Sequence, residues 1–151
     1  MKKAVWGPII WKTLHCLVYK IKDEHFSTQK AKLIDLIVKI CSNLPCPVCS
    51  NHAQGMIKKY RLQFIKSKQD LIRILFLMHN EVNKRLKKVE FKFENLTVYD
   101  SLQLRDILNE YYNTNINMHL GEKMMLYSFH RKKFLIIFKE YVNQNIQYFS
   151  D

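Results

Sequence analysis

Four cysteines and six histidines supply most of the reactive side chains of this chain. Three of the cysteines fall in one stretch, Cys41-Ser42-Asn43-Leu44-Pro45-Cys46-Pro47-Val48-Cys49-Ser50-Asn51-His52, and two chemistries fit it. In the first, Cys46 and Cys49 form a redox-active disulfide. Cysteines three apart at a helix start can be bridged, and the ring they close is too short to be a strong structural staple. Pro47 suits the first helical position, which leaves Cys46 near the cap, where the helix dipole favours a thiolate. A lowered thiol pKa makes that sulfur a better leaving group in exchange. In the second, Cys41, Cys46, Cys49 and His52 hold zinc with sulfur and nitrogen ligands, although structural zinc sites usually draw ligand pairs from separate segments. Cys16 and Cys41 also read simply as buried small hydrophobes on helical faces. The cysteines alone leave the choice open.

Two further groups of residues bear on it. In Trp6-Gly7-Pro8-Ile9-Ile10-Trp11-Lys12-Thr13-Leu14-His15, Trp11 and His15 are four apart and share one helical face. Such a pair can flank a planar ring or a diphosphate, or be a core tryptophan beside a hydrogen-bonded histidine. In the segment from His79 to Phe91, His79, Val82, Asn83 and Leu86 follow i, i+3, i+4, i+7 spacing. That face mixes an imidazole and an amide with apolar residues, and buried polar groups need partners from the protein or from a ligand. Lys84, Arg85, Lys87 and Lys88 crowd the C-terminal end of the same helix, where they either complement its dipole or clamp a phosphate.

Helical periodicity supplies the elements that must position these residues. Trp6, Ile10, Leu14, Leu17 (or Val18) and Ile21 mark one face of a first helix, starting near Pro8. Ser27 or Thr28 can cap a second helix through Leu33, Ile37, Ile40 and Leu44, ended by Pro45. A short helix follows from Cys46-Pro47 to about Tyr60. Ser67 and Asp70 resemble a capping box opening a fourth helix through Leu71, Leu75, Met78, Val82 and Leu86. Beyond Phe91, Asp100 can cap a helix through Leu104, Ile107, Leu108 and Tyr111, and a last helix runs from about Glu122 to Tyr148. The expected fold is all-α: a four-helix unit in 1–91 and a helical extension in 92–151.

Composition agrees. The chain has 151 residues, 48% hydrophobic and 25% charged, with three Gly and three Pro, which fits one globular domain with or without an extension and excludes collagen-like or linker-rich chains. Its longest apolar run, Ile74 to Met78, is far short of the roughly 20 residues of a membrane span. No small-residue cleavage site follows the basic start, so no signal peptide is expected. Residues 1–91 hold 18 Lys and Arg against 6 Asp and Glu, while 92–151 hold 7 of each, so the whole +12 excess lies in the first part. A polyanion, a cofactor diphosphate or an acidic partner would be drawn there, unless the charge is only a solvated face. No nucleic-acid motif accompanies it, and nucleic acid is not the expected partner.

The order of motifs, W-G-x3-W-x2-L-H, then C-x-x-C followed by His, then H-N-x-V-N-x2-L-x-K-x2-F, resembles the Erv/ALR FAD-linked sulfhydryl oxidases. The likeness rests on Trp6, Gly7, Trp11, Leu14 and His15, on Cys46, Cys49 and His52, and on His79, Asn80, Val82, Asn83, Leu86, Lys88 and Phe91. It implies a four-helix bundle with FAD in its mouth, a short additional helix and homodimer formation. By this resemblance Gly7, Trp11, His15, His52, His79, Asn80, Val82, Asn83 and Lys88, with Tyr19 one turn after His15, would line the FAD site, and no metal would be held. Cys46 would exchange with substrate thiols. Cys49 would be the sulfur nearest the flavin, and electrons would pass to O2, giving H2O2. The alternative is a non-enzymatic zinc-binding interaction module using Cys41, Cys46, Cys49 and His52.

Departures from the family pattern carry their own expectations. No cysteine follows Cys49, so a second, structural disulfide is missing and packing from 92–151 should compensate. A shuttle C-x-x-C is also absent, so substrate proteins or a thioredoxin-like relay would meet Cys46 directly, unless Cys41 serves as an upstream relay. In the extension, Tyr127, Phe129, His130, Arg131, Lys132 and Lys133 could fold back on FAD. The preferred reading makes them a charged turn of an amphipathic helix packing through Met125, Phe129, Phe134, Ile137, Phe138 and Tyr141. The composition looks like that of homologues in large nucleocytoplasmic DNA viruses, implying disulfide formation in virion proteins within the host cytoplasm, virus factory or virion. The mitochondrial intermembrane space is the cellular alternative.

Overall fold

The computed structural model describes residues 1–151 and is all-α. Its helices are α1 (Lys3–Lys20), α2 (Asp23–Ser42), α3 (Pro47–Lys59), α4 (Lys68–Arg85), α5 (Leu104–Ile116) and α6 (Met125–Asn145). A 3-10 segment, Phe93–Ser101, joins the first four to the last two, and the only β feature is an isolated bridge between Ile21 and Phe149. No helix is long and apolar enough to cross a membrane.

α1 is the central element because its second half is hydrophobic on every side. Thr13 through Val18 are all buried, and a helix apolar all round must be enclosed all round. α4, α5, α2 and the 93–101 segment all pack on it. The one hydroxyl in that run, Thr13 Oγ1, donates back to the Ile9 carbonyl at 2.8 Å, so no polar group is stranded. α3 packs on α2, and α6 on α5. Leu96, Tyr99, Leu108, Tyr111 and Phe138 from 92–151 belong to the same hydrophobic cluster as Leu14, Leu33 and Leu75. The two parts therefore share one core. Leu75 is fully buried, so Leu75→Ala should destabilise by about 2–5 kcal/mol. A lowered urea midpoint with an unchanged slope would register this.

Several helix ends differ from the sequence expectation. α1 begins at Lys3, so Pro8 lies in its second turn rather than at its start. The missing N–H is tolerated because Ala4, the residue whose carbonyl it would have bonded, is exposed. α2 begins at Asp23, not near Ser27 or Thr28; Asp23 and Glu24 place negative charge in its first turn, which the dipole favours without a side-chain cap. Asp100 caps nothing. It lies within the 3-10 segment, and Gln103 precedes α5. Ser67 does cap α4, accepting from the Asp70 N–H at 3.1 Å. In α6 the packing side is Arg131, Phe134, Leu135 and Phe138, with Tyr127 half-buried, whereas Met125, Phe129 and Ile137 are exposed. The expected packing side through Met125, Phe129 and Ile137 is thus corrected, because contact with α5 and with the end of α2 turns Tyr127 and Arg131 inward instead.

Candidate functional site

A cavity of about 350 Å3 opens where α1, α3 and α4 converge, in the size range of small-molecule sites. Its walls are mostly apolar, from Trp6, Ile10, Leu14, Leu44, Ala53, Met56 and Met78, with Trp11, His79 and Tyr99 adding rings. Lys3, Lys12, Arg85 and Lys88 stand around it, and no Asp or Glu lines it. Cys49 is in the wall.

The dithiol is built by the start of α3. Pro47 takes the first helical position and Cys46 is the N-cap, its Sγ accepting from the Cys49 N–H at 3.2 Å. Both cysteines are half-buried and both are free thiols. Burial alone would raise the Cys46 thiol. Hydrogen bonds from the Cys49 side chain and N–H, the Lys3 charge and the Val48 N–H outweigh it and hold the group below the ordinary thiol range. Cys49 moves the other way, raised by burial and by its hydrogen bond to Cys46, with Lys3 opposing. The pair is thus asymmetric: Cys46 is the more readily ionised sulfur and the better leaving group, and Cys49 is the one facing the cavity.

Behind the cavity, His15 and His79 join α1 to α4. His15 Nε2 and His79 Nδ1 lie 3.0 Å apart, one donating and one accepting, so the accepting ring is neutral. Burial, with His79 nearby, pushes His15 down to about 3. Burial and the Lys88 charge push His79 down to about 4. The rings are layered: Trp11 stacks on His79 at 4.2 Å with an 8° tilt, and His15 on Tyr99 at 4.9 Å. Asn80 is occupied by the protein itself. Its Nδ2 donates to the Phe91 carbonyl at 2.8 Å and its Oδ1 accepts the Phe91 N–H at 2.7 Å, folding the segment after α4 back beside the histidines.

Of the residues singled out in the sequence, Gly7, Trp11, Cys49, His79, Val82, Asn83 and Lys88 line the cavity. His15 and Asn80 support it from behind, and Cys46 is joined to it through Cys49. Tyr19 and His52 are not brought in. Tyr19 shares the helical stripe of His15, but it lines a separate polar cleft together with Asp100. His52 follows Cys49 by three residues, but α3 turns Ala53 and Met56 inward and leaves His52 exposed. Nor do Cys41, Cys46, Cys49 and His52 converge: no group of three or more Cys, His, Asp or Glu is placed to share a metal. Cys41 is buried, and desolvation raises its thiol to about 12, which suits a packing residue better than a nucleophilic relay.

Sequence reasoning missed Lys3, Lys12 and Tyr99 as lining residues. Lys3 was legible, since Lys3, Gly7 and Trp11 fall four apart on one stripe of α1. Tyr99 was not, because it reaches the cavity only through the 3-10 segment packed on α1.

The model of the Erv1/Alr family matches residues 8–101. A FAD-linked sulfhydryl oxidase of African swine fever virus is 33% identical over 104 residues, covering 69% of this chain and 84% of that protein. The corresponding protein of a second isolate is 32% identical over 103 residues, 68% of this chain and 86% of its own. A chain from Invertebrate iridescent virus 3 is 32% identical over 85 residues, 56% of this chain and 57% of its own. No solved structure matches.

Proposed function

The chain belongs to the Erv1/Alr family, and from that premise we propose that it is a FAD-dependent thiol oxidase that makes disulfide bonds in thiol-bearing proteins. One observation supports this most strongly. An apolar, aromatic cavity ringed by four cations and no acids has a redox-competent cysteine in its wall. A planar ring system suits the aromatic walls, a diphosphate suits Lys3, Lys12, Arg85 and Lys88, and the electron donor stands between them. Zinc chemistry would leave both the cations and the stacked histidines without a purpose.

The chain's own residues then divide the work. A substrate thiolate attacks Cys46 Sγ of the Cys46–Cys49 disulfide; the S–S bond breaks and Cys49 leaves as thiolate. A second substrate thiol attacks the mixed disulfide, releasing the oxidised substrate and restoring Cys46 as a thiolate that Lys3 and the start of α3 stabilise. Two substrate thiols have become one disulfide, and the chain holds a dithiol. The chemistry FAD supplies when bound is acceptance of the electron pair as the dithiol returns to disulfide, with O2 as the final acceptor and H2O2 as the product. Trp11 and His79 would orient the ring, and Arg85 and Lys88 would hold the phosphates. With virus-encoded relatives, the setting in which this activity serves is an infected host cell, where it would oxidise proteins in an otherwise reducing compartment.

The test is a visible spectrum of the purified protein, followed by dithiothreitol in air. Flavin bands that bleach and then return as oxygen is consumed are the expected result. A colourless protein that consumes no oxygen would overturn the proposal.

A further inference from the structure

The loop that delivers Cys46 carries a polar requirement that its own neighbours cannot meet. α2 ends at Ser42, and Pro45 offers no N–H, so both main-chain groups of buried Leu44 lie outside any helix. They are satisfied by a closed ring of three hydrogen bonds. The Leu44 N–H donates to Ser50 Oγ at 3.0 Å, Ser50 Oγ pairs with Tyr127 Oη at 2.8 Å, and Tyr127 Oη donates to the Leu44 carbonyl at 2.6 Å. The direction around the ring is forced. Tyr127 has one proton and the Leu44 carbonyl can only accept, so that proton goes there and Ser50 must donate to Tyr127. One turn further along α6, Arg131 Nε donates to the Asn43 carbonyl at 2.9 Å. Its guanidinium is buried with no acid beside it, and the C-terminal end of α2, where helix carbonyls gather, is a favourable place for that cation.

The ring therefore grips the dithiol on both sides, at Leu44 two residues before Cys46 and at Ser50 immediately after Cys49. We propose that Tyr127 is a positioning residue for the Cys46–Cys49 dithiol, acting through Leu44 and Ser50 to set the angle at which the chain enters α3. That angle aims the Val48 and Cys49 N–H groups at Cys46 Sγ, and these are among the donors that stabilise its thiolate. α6 thus reaches the chemistry without touching the cavity, since Tyr127 is not among its lining residues. The role rests on the thiol-exchange reading of Cys46.

The test compares wild type with Tyr127→Phe and Ser50→Ala in the full, cofactor-bearing chain, reduced and kept anaerobic. Each substitution removes one oxygen and keeps the packed outline, and either alone is decisive. The rate of Cys46 alkylation by iodoacetamide, located by mass spectrometry, is followed against pH. In both variants alkylation at neutral pH should slow by about three- to tenfold, with the profile displaced to higher pH and the high-pH plateau unchanged. The double variant should match the single ones, because all three break the same ring. Profiles that overlay wild type while only the melting temperature falls would overturn the proposal and leave Tyr127 a packing residue. Alkylation involves neither flavin nor oxygen, so a wild-type protein whose flavin does not bleach with dithiothreitol would sink the oxidase reading on a separate measurement.

Discussion

Cys49→Ser should abolish thiol-driven bleaching of the flavin, slowing it by on the order of a thousandfold or more, while leaving the cofactor bound. Cys49 is the only half-exposed sulfur in the cavity wall; the other lining thiol, Cys41, is buried and its proton is held up to about 12. No second sulfur is thus ready to take over. Serine preserves the size of the side chain, so the apolar walls and the four cations that would bind FAD stay in place. Cys46→Ser should give a comparable loss by a different route. Cys49 would still face the cavity but could no longer re-form a disulfide with its partner, and a substrate thiol would have no Cys46–Cys49 bond to attack. Anaerobic mixing with dithiothreitol, followed at the flavin's visible band, measures both. Bleaching of Cys49→Ser at the wild-type rate would mean that electrons reach the flavin without this cysteine.

The second large effect is on stability in acid. His15 and His79 share one hydrogen bond and are held neutral, with values pushed down to about 3 and about 4. In the unfolded chain both titrate near the ordinary 6.5. As pH falls through that value the unfolded state takes up protons that the folded state refuses. The stabilisation is therefore fully present above about pH 6.5 and lost progressively down towards pH 4 and then 3. The slope from His15 approaches about 1.4 kcal/mol per pH unit, with less from half-buried His79. The charged groups facing the pair are few: Lys88 beside His79 opposes its protonation, and Tyr99 over His15 is neutral across this range. Glu81, held down by its hydrogen bond with Lys59, adds its own loss only below the ordinary carboxylate range. Urea midpoints at pH 7.5, 6.0 and 5.0 should fall steadily, and His79→Gln should flatten the trend. A midpoint unchanged between pH 7.5 and 5.0 would mean that the pair is not held neutral in the folded protein.

Much of the site could be read along the chain because its geometry is local. The i, i+4 pairing of Trp11 with His15, the pattern His79, Val82, Asn83 and Leu86, and the Cys46-Pro47 helix start are all set by helical periodicity. Periodicity survives whatever the helix later packs against. The same reasoning could not place Tyr19 and His52, which the fold leaves outside the cavity. A helical stripe is about as wide as one side chain is long, and only the neighbouring helices decide which residue at its border faces the cavity.

The sequence by itself determined the all-α class, the proline-started helix that carries the C-x-x-C, and the clustering of aromatic, imidazole and basic residues on α1 and on α4 that line the cavity. These depend on residue type and on spacing within one helix. Only the tertiary structure decided that Tyr99 reaches the cavity, that Asn80 bonds the main chain of Phe91, and that Tyr127 and Arg131 secure the loop before Cys46. Tyr99 arrives by packing of the 93–101 segment on α1, while Asn80, Tyr127 and Arg131 bond main-chain groups that lie outside the helices. Which distant side chain supplies the missing partner follows from how the helices pack.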